Sequence, residues 1–503
     1  MSLKRNVIAN FLGQGWTALM AIAFVPVYIQ HLGIEAYGLI GFFTMLQIWL
    51  SILDAGLSPT LGREMARFKG GQHSIVSIHE LLHSMQWAFL GISAIIIVII
   101  YSLSPWLSTS WLSFKSMDIS SVQEALNISA IVIATRLFSG LYRSAILGLQ
   151  NQVGLNFINI VFSTLKGLGV VLALKYISPT VKVFFIYQAI ISVVETLSLR
   201  QYLFYLIPRP QVSYKLSLAP LLAVKNFAGG MFAITFLATF LTQADKLILS
   251  KLLPLSDFGK YALASLVASS VAIVFQPLSN AIRPKLTEQV ASNDVKEIAA
   301  LYHSISQLYT ILVVPIGMVM CIFSSHILLL WTRNWEITHD TSIYLSLLSI
   351  GYLLNGLMNA PYALQLAYGQ TRYAALSNLM GVILLVPSLI IFIHIFGTIA
   401  APIIWILLNL GYFVITVPIM HKKLLKNEMY EWYWTDTILP SIPMTITLYC
   451  FYLVAPKPEL DNPFISFCII LISLVLSYLL ILVSTDTGRK ALKSLTSMGK
   501  PKH

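Results

Sequence analysis

Residues 37–58 read YGLIGFFTMLQIWLSILDAGLS, and residues 258–279 read FGKYALASLVASSVAIVFQPLS. The two stretches lie 221 positions apart: Tyr37-Gly38 is echoed by Phe258-Gly259, and Leu57-Ser58 by Leu278-Ser279. A third pair, Gly148 and Gly369, keeps the same offset. Each of these glycines follows an apolar segment and precedes polar residues. One constant offset through separate anchors marks an internal repeat. It spans an even number of apolar segments, six by our count. Both copies therefore enter a membrane in the same sense, and parallel membrane repeats are a transporter architecture.

Composition agrees. Of 503 residues, 57% are hydrophobic and only 10% charged, and the mean hydropathy is +0.79. A soluble domain carries about 25% charged residues, so this chain cannot cover a water-facing surface. The net charge of +12 reads as the Lys and Arg excess of cytoplasmic loops rather than as a nucleic-acid surface. Cys321, Cys450 and Cys468 form no CxxC pair and no metal spacing, so they read as packing residues. The apolar run after Lys4-Arg5 continues through Tyr28. That is longer than the apolar core of a signal peptide, so we read it as a retained first helix.

The expected fold is an all-α polytopic membrane protein of about fourteen transmembrane helices. Six are expected in 7–30, 37–57, 82–104, 124–146, 153–174 and 183–207. Six more are expected in 226–249, 259–281, 301–323, 341–368, 372–396 and 398–420, and two follow at 438–455 and 462–483. The reading is of two parallel six-helix bundles, 1–210 and 226–423, related by a pseudo-twofold around a central cavity. A cytoplasmic linker, 211–225, joins them, and 424–503 adds two helices and a basic tail. With the N-terminus inside, 22 of the 32 Lys and Arg fall on inner segments, which puts both termini in the cytoplasm. Trp106, Trp111, Trp331, Trp335, Trp432 and Trp434 lie at segment ends and read as interface anchors.

Several helices carry polar residues on one face. Gln47 and Asp54 belong to such a stripe, as do Asn159 with Lys166, Gln188 with Glu195, Thr239 with Lys246, and Gln276 with Arg283. On any one helix, small polar residues serve as helix–helix glue. Five stripes across both halves point to a water-filled cavity, with Gln47, Asn159, Thr239 and Gln276 among its lining. An ionisable group deep in a bilayer costs at least about 2.5–3.5 kcal/mol unless it meets water or a partner. Arg136 and Lys166 are the leading candidates for an anion site, with Arg143 two turns beyond Arg136 on the same face. Arginine offers a forked donor set suited to phosphate, and lysine a mobile point charge. The alternatives are a structural pair of Lys166 with Glu195 and, for Arg143, snorkelling to the interface. Glu195, Asp54 and Asp245 are the candidates for ion coupling or for partnering these cations. No metal cluster, Ser-His-Asp set or phosphate-binding glycine loop stands out, and isolated histidines read as packing or interfacial residues.

The order of motifs resembles a known family. Asn10-Phe11-Leu12-Gly13, Leu32-Gly33-Ile34-Glu35-Ala36-Tyr37-Gly38, Leu53-Asp54-Ala55-Gly56-Leu57 and Arg63-Glu64 carry the resemblance in the first half. Gly148-Leu149-Gln150-Asn151-Gln152, Gln243-Ala244-Asp245-Lys246 and Phe258-Gly259-Lys260-Tyr261 extend it. Together they resemble the Wzx-type flippases of O-antigen and polysaccharide repeat units. Those belong to the MOP superfamily and are related to the MATE exporters. The resemblance implies two six-helix bundles plus two C-terminal helices, alternating access, and location in the bacterial inner membrane. It implies an undecaprenyl-diphosphate-linked oligosaccharide as substrate, membrane lipids and polysaccharide-assembly proteins as partners, no bound cofactor, and H+ or Na+ coupling. It supplies no motif for the cavity, so Arg136 and Lys166 rest on their intramembrane position. Competing readings are a MATE-like exporter of small cationic compounds and a membrane glycosyltransferase or polymerase. A cationic lumen argues against the exporter. Short outer loops and the absence of a DxD pair argue against the enzyme.

Overall fold

A computed structural model describes residues 3–54, 56–208, 210, 219–291, 294–457 and 462–498. The described residues are helical almost throughout and form no sheet. Within hydrocarbon every backbone polar group must find an internal partner, and the α-helix satisfies this within one segment. The expected linker 211–225 falls partly outside the described residues, and helix begins again at Ala219.

The chain forms two compact units, residues 1–259 and 260–503. The first contains α1 (Leu3–Ala23), α2 (Val25–Leu32), α3 (Ile34–Leu50), α4 (Leu57–Lys69) and α5 (Ile75–Trp106). It continues with α6 (Ile119–Gly148), α7 (Gln152–Thr164), α8 (Val170–Tyr176), α9 (Val181–Leu206) and α10 (Ala219–Leu252). Helix α6 is its axis, with α4, α5 and α9 packed around it. The unit boundary falls inside α11 (Leu255–Ser269), beyond the expected linker, because α10 lies against α3, α4 and α5.

The second unit continues with α12 (Val271–Ala291), α13 (Val295–Ile322), α14 (Ser324–Thr332), α15 (Trp335–Leu357) and α16 (Asn359–Ala367). Then come α17 (Thr371–Phe396), α18 (Ala400–Gly411), α19 (Val417–Leu424), α20 (Met429–Glu431), α21 (Leu439–Val454), α22 (Pro463–Ser484) and α23 (Asp486–Met498). Helix α13 is its centre. The last helices cover it: α21 and α22 pack along it, and the Tyr478 hydroxyl donates to the Leu312 carbonyl at 3.4 Å.

Twelve stretches of the described residues are long and apolar enough to span a bilayer, against the fourteen expected. The difference lies in two places. One stretch, Leu376–Leu424, runs 49 residues, about twice the length a single crossing needs. It is broken at Gly397, whose φ of +67° ends α17. Helix α10 has 34 residues and is not among the twelve.

The repeat anchors have structural meaning. A Cβ added to Gly38 would lie 2.0 Å from the Leu255 carbonyl oxygen, and one added to Gly259 would lie 2.6 Å from the Ile34 carbonyl oxygen. The backbones of α3 and the start of α11 therefore meet glycine to glycine, as small residues permit in membranes. Gly148 closes α6, and Gly369 with φ +69° follows α16. The expected helix 37–57 instead ends at Leu50, followed by a 3-10 turn, Ser51–Asp54, and a left-handed Gly56 (φ +75°). There Asp54 accepts from the Ser58 amide at 2.9 Å and the Ser58 hydroxyl at 3.0 Å, capping α4. Asp54→Ala is expected to lower stability by about 1 kcal/mol, read as a small fall in melting temperature of the detergent-purified protein.

Candidate functional site

The first unit gathers charge in its interior. Glu195 projects from α9, with its side chain 3% exposed. One carboxylate oxygen receives Arg143 Nη2 from α6, and the other receives Lys166 Nζ. Arg143 Nη1 also donates to the Asn159 side chain on α7. Two turns away on α6, Arg136 Nη1 donates to Gln47 Oε1 on α3 at 2.5 Å, and its guanidinium lies 6.0 Å from the Phe43 ring. Arg136 also interacts electrostatically with Arg143, Lys166 and Glu195. Two cations thus share a single carboxylate, with a third close enough to feel its charge. The local excess of positive charge stands where hydrocarbon-spanning helices pack.

Lys166 owes its position to an irregular turn. Residues Leu165–Gly169 form a π-helical turn between α7 and α8, with Gly167 and Gly169 beside the lysine. A π turn disturbs the i→i−4 ladder, and such turns often mark functional sites. Neighbours satisfy its carbonyls. Tyr187 Oη donates to Leu165 O at 3.2 Å, Gln188 Nε2 to Lys166 O at 3.3 Å, and Tyr28 Oη to Gly167 O at 3.2 Å. Tyr28 was not among the residues read from sequence, because its role depends on this turn.

One donor is left over. Arg136 Nε is buried and has no hydrogen-bond partner among the described residues. Buried donors are normally paired. This guanidinium, already tied to Gln47 on one side, retains capacity for an acceptor.

The other expected site residues separate from this cluster. Asp54 caps α4. Asp245 and Lys246 are half-buried on α10, where Lys246 donates to Gln243 Oε1 at 3.3 Å. Thr239 is buried on α10, and Gln276 is exposed on α12. Arg143 does not snorkel but holds Glu195. Trp432 is no interface anchor: it is 1% exposed and packs on Phe413, Tyr433 and His421.

The polysaccharide biosynthesis protein family matches residues 31–340 of the chain. A Shigella flexneri protein named "Putative O-antigen transporter" is 22% identical over 414 residues, covering 80% of this chain and 94% of that protein. Among solved structures, the lipid II flippase MurJ in an inward closed conformation superposes with a TM-score of 0.69 at 16% identity, covering 95% of this chain and 97% of that one. An inward-facing multidrug resistance MATE transporter of the MOP superfamily gives a TM-score of 0.63 at 12% identity, covering 84% of this chain and 96% of that one. The two structures speak for fold, and all these relatives are transporters rather than enzymes. With a match across more than half its length and, among the described residues, twelve apolar helices long enough to span a bilayer, the chain is a polytopic membrane protein that belongs to the polysaccharide biosynthesis protein family and shares the fold of the MurJ and MATE transporters.

Proposed function

We propose that this protein is a flippase for undecaprenyl-diphosphate-linked oligosaccharide, a repeat unit of O-antigen or a related polysaccharide, in the bacterial inner membrane with both termini cytoplasmic. The observation that carries this reading is the excess of cations, Arg136, Arg143 and Lys166, over Glu195, the one carboxylate in their cluster in the first unit. A diphosphate–sugar headgroup does not cross hydrocarbon unaided. A cationic site lowers that barrier, while the polyprenyl tail stays in lipid. Arg136, with its orphan Nε, takes the anion, and Lys166 with Arg143 competes between Glu195 and the diphosphate. The Shigella relative named as an O-antigen transporter supports the substrate class.

Transport proceeds by alternating access. Coupling to an H+ or Na+ gradient would act through a carboxylate, of which Glu195 is the one in contact with the cations. The same cations disfavour export of small cationic drugs.

The experiment is genetic. Deleting the gene should cause lipid-linked repeat units to accumulate on the inner leaflet and surface polysaccharide to fall. Complementation with Arg136→Ala or Lys166→Ala should restore the protein to the membrane but leave polysaccharide output about tenfold to a hundredfold down. That is the effect of losing a charged hydrogen bond of about 1.5–3 kcal/mol. Full output from both variants would refute the site.

A further inference from the structure

The second unit contains a cluster that the proposed transport does not use. His303 on α13 lies 125 positions from Glu428 in sequence. Its Nε2 faces Glu428 Oε2 at 3.1 Å and Glu431 Oε2 at 3.9 Å. The candidate donor atoms of His303, Glu428 and Glu431 all lie within 4.8 Å of one another. Donors bonded at about 2.1 Å to one ion sit roughly 3.0–3.4 Å apart at right or tetrahedral angles. The three are therefore close to a common coordination sphere.

Behind them is a supporting layer. His303 Nδ1 meets Asp436 Oδ2 at 2.6 Å, and Asp436 is 0% exposed. Gln307 Nε2 donates to Asp436 Oδ1 at 2.9 Å, and Gln307 Oε1 in turn accepts from the Thr487 amide at 2.8 Å. A buried carboxylate on Nδ1 fixes the imidazole tautomer so that Nε2 offers its lone pair outward, the arrangement that orients metal-ligating histidines. Asp436 reaches inward from a second π turn, Trp432–Ile438, which departs from regular helix between α20 and α21.

Charge balance gives an independent argument. Three carboxylates, Glu428, Glu431 and Asp436, surround one imidazole. Among the described residues no Lys or Arg pairs with any of them. Even a protonated imidazole leaves the three carboxylates in excess over the cations in direct contact with them. Glu431 is 53% exposed and Glu428 28%, so an ion has a path from water.

We propose that His303, Glu428 and Glu431 bind a divalent first-row transition ion of the zinc or manganese class, with Asp436 as the group that orients His303. One imidazole with two carboxylates suits such an ion better than Mg2+, which prefers all-oxygen, largely hydrated coordination. The ion fastens the segment Leu425–Glu431 to α13 and thereby seats the C-terminal helices.

The test uses the full-length protein in detergent, stripped with EDTA. ZnCl2, MnCl2 and MgCl2 are titrated separately while the melting temperature and the bound metal are measured. The expected result is a rise in melting temperature with Zn2+ or Mn2+ that saturates near one ion per chain, and no rise with Mg2+. Glu431→Gln, at an exposed position where folding is tolerant, should weaken the effect at least tenfold. His303→Ala should remove it, and Asp436→Asn should weaken affinity about tenfold to a hundredfold. No shift with any ion, a shift with Mg2+ alone, or an equal shift in Glu431→Gln and His303→Ala would overturn the proposal and leave a metal-free ion-pair network.

Discussion

Glu195→Ala is expected to give little folded protein in the membrane and almost no surface polysaccharide. The carboxylate is nearly inaccessible and holds both Arg143 and Lys166. Breaking a buried pair by removing one partner costs about 3–5 kcal/mol, because the remaining charge is stranded. Here two charges lose their partner together, and Arg136 adds to the local repulsion. That cost is comparable to the whole stability of many domains, about 5–15 kcal/mol. The companion variant Lys166→Ala/Glu195→Ala separates folding from transport. It removes one cation with the carboxylate and restores the original charge excess, so its membrane level should recover substantially. Its polysaccharide output should stay low. Fluorescence-detected size-exclusion chromatography reads the first quantity and surface staining the second. Wild-type levels of both in Glu195→Ala would show that the carboxylate does not hold the cluster.

Gly38→Ala is expected to lower the melting temperature markedly, although the same change elsewhere in a helix raises it. In an exposed helix interior, alanine is favoured over glycine by about 1 kcal/mol. At Gly15 an added Cβ meets nothing within 4 Å, so Gly15→Ala should be neutral or slightly stabilising. At Gly38 the added carbon would lie 2.0 Å from a backbone oxygen, and backbone cannot rotate aside as a side chain can. Overpacking of this kind costs about 1–3 kcal/mol or more. Because α3 also carries Gln47, moving it loosens the acceptor that holds Arg136, so polysaccharide output should fall with stability. Gly38→Val should go further, to loss of folded protein. Equal melting temperatures for Gly15→Ala and Gly38→Ala would contradict the crossing described here.

Much of the fold is legible in the sequence. Apolar runs place the helices, since length and hydropathy alone decide what can span a bilayer. Three- and four-residue spacing marks Gln47, Asn159, Lys166 and Glu195, and depth in a helix marks Arg136; the structure brings these side chains together with Arg143. What spacing cannot convey is how a helix departs from its own period. The π turns around Lys166 and Asp436 have no apolar signature, because each shifts one hydrogen-bond register without changing composition. Asp54 shares a polar stripe with Gln47 near the end of the expected helix 37–57. The left-handed Gly56 breaks that helix and turns the carboxylate into a cap. His303 and Asp436 are separated by 133 positions, so no local pattern links them. Trp432 resembled an interface residue by its place near a segment end, yet Phe413 and Tyr433 close over it.

The covering of α13 by the final helices bears on where this polypeptide can be shortened. A chain stopped after Leu424 would uncover Gln307, now 5% exposed, together with His303, and would delete the acid to which both are tied. An amide and an imidazole left without their partners in an apolar setting are expensive. The terminal hairpin is therefore a keystone of the second unit rather than an ornament on a finished bundle, and truncation there should cost the whole unit its footing in the membrane.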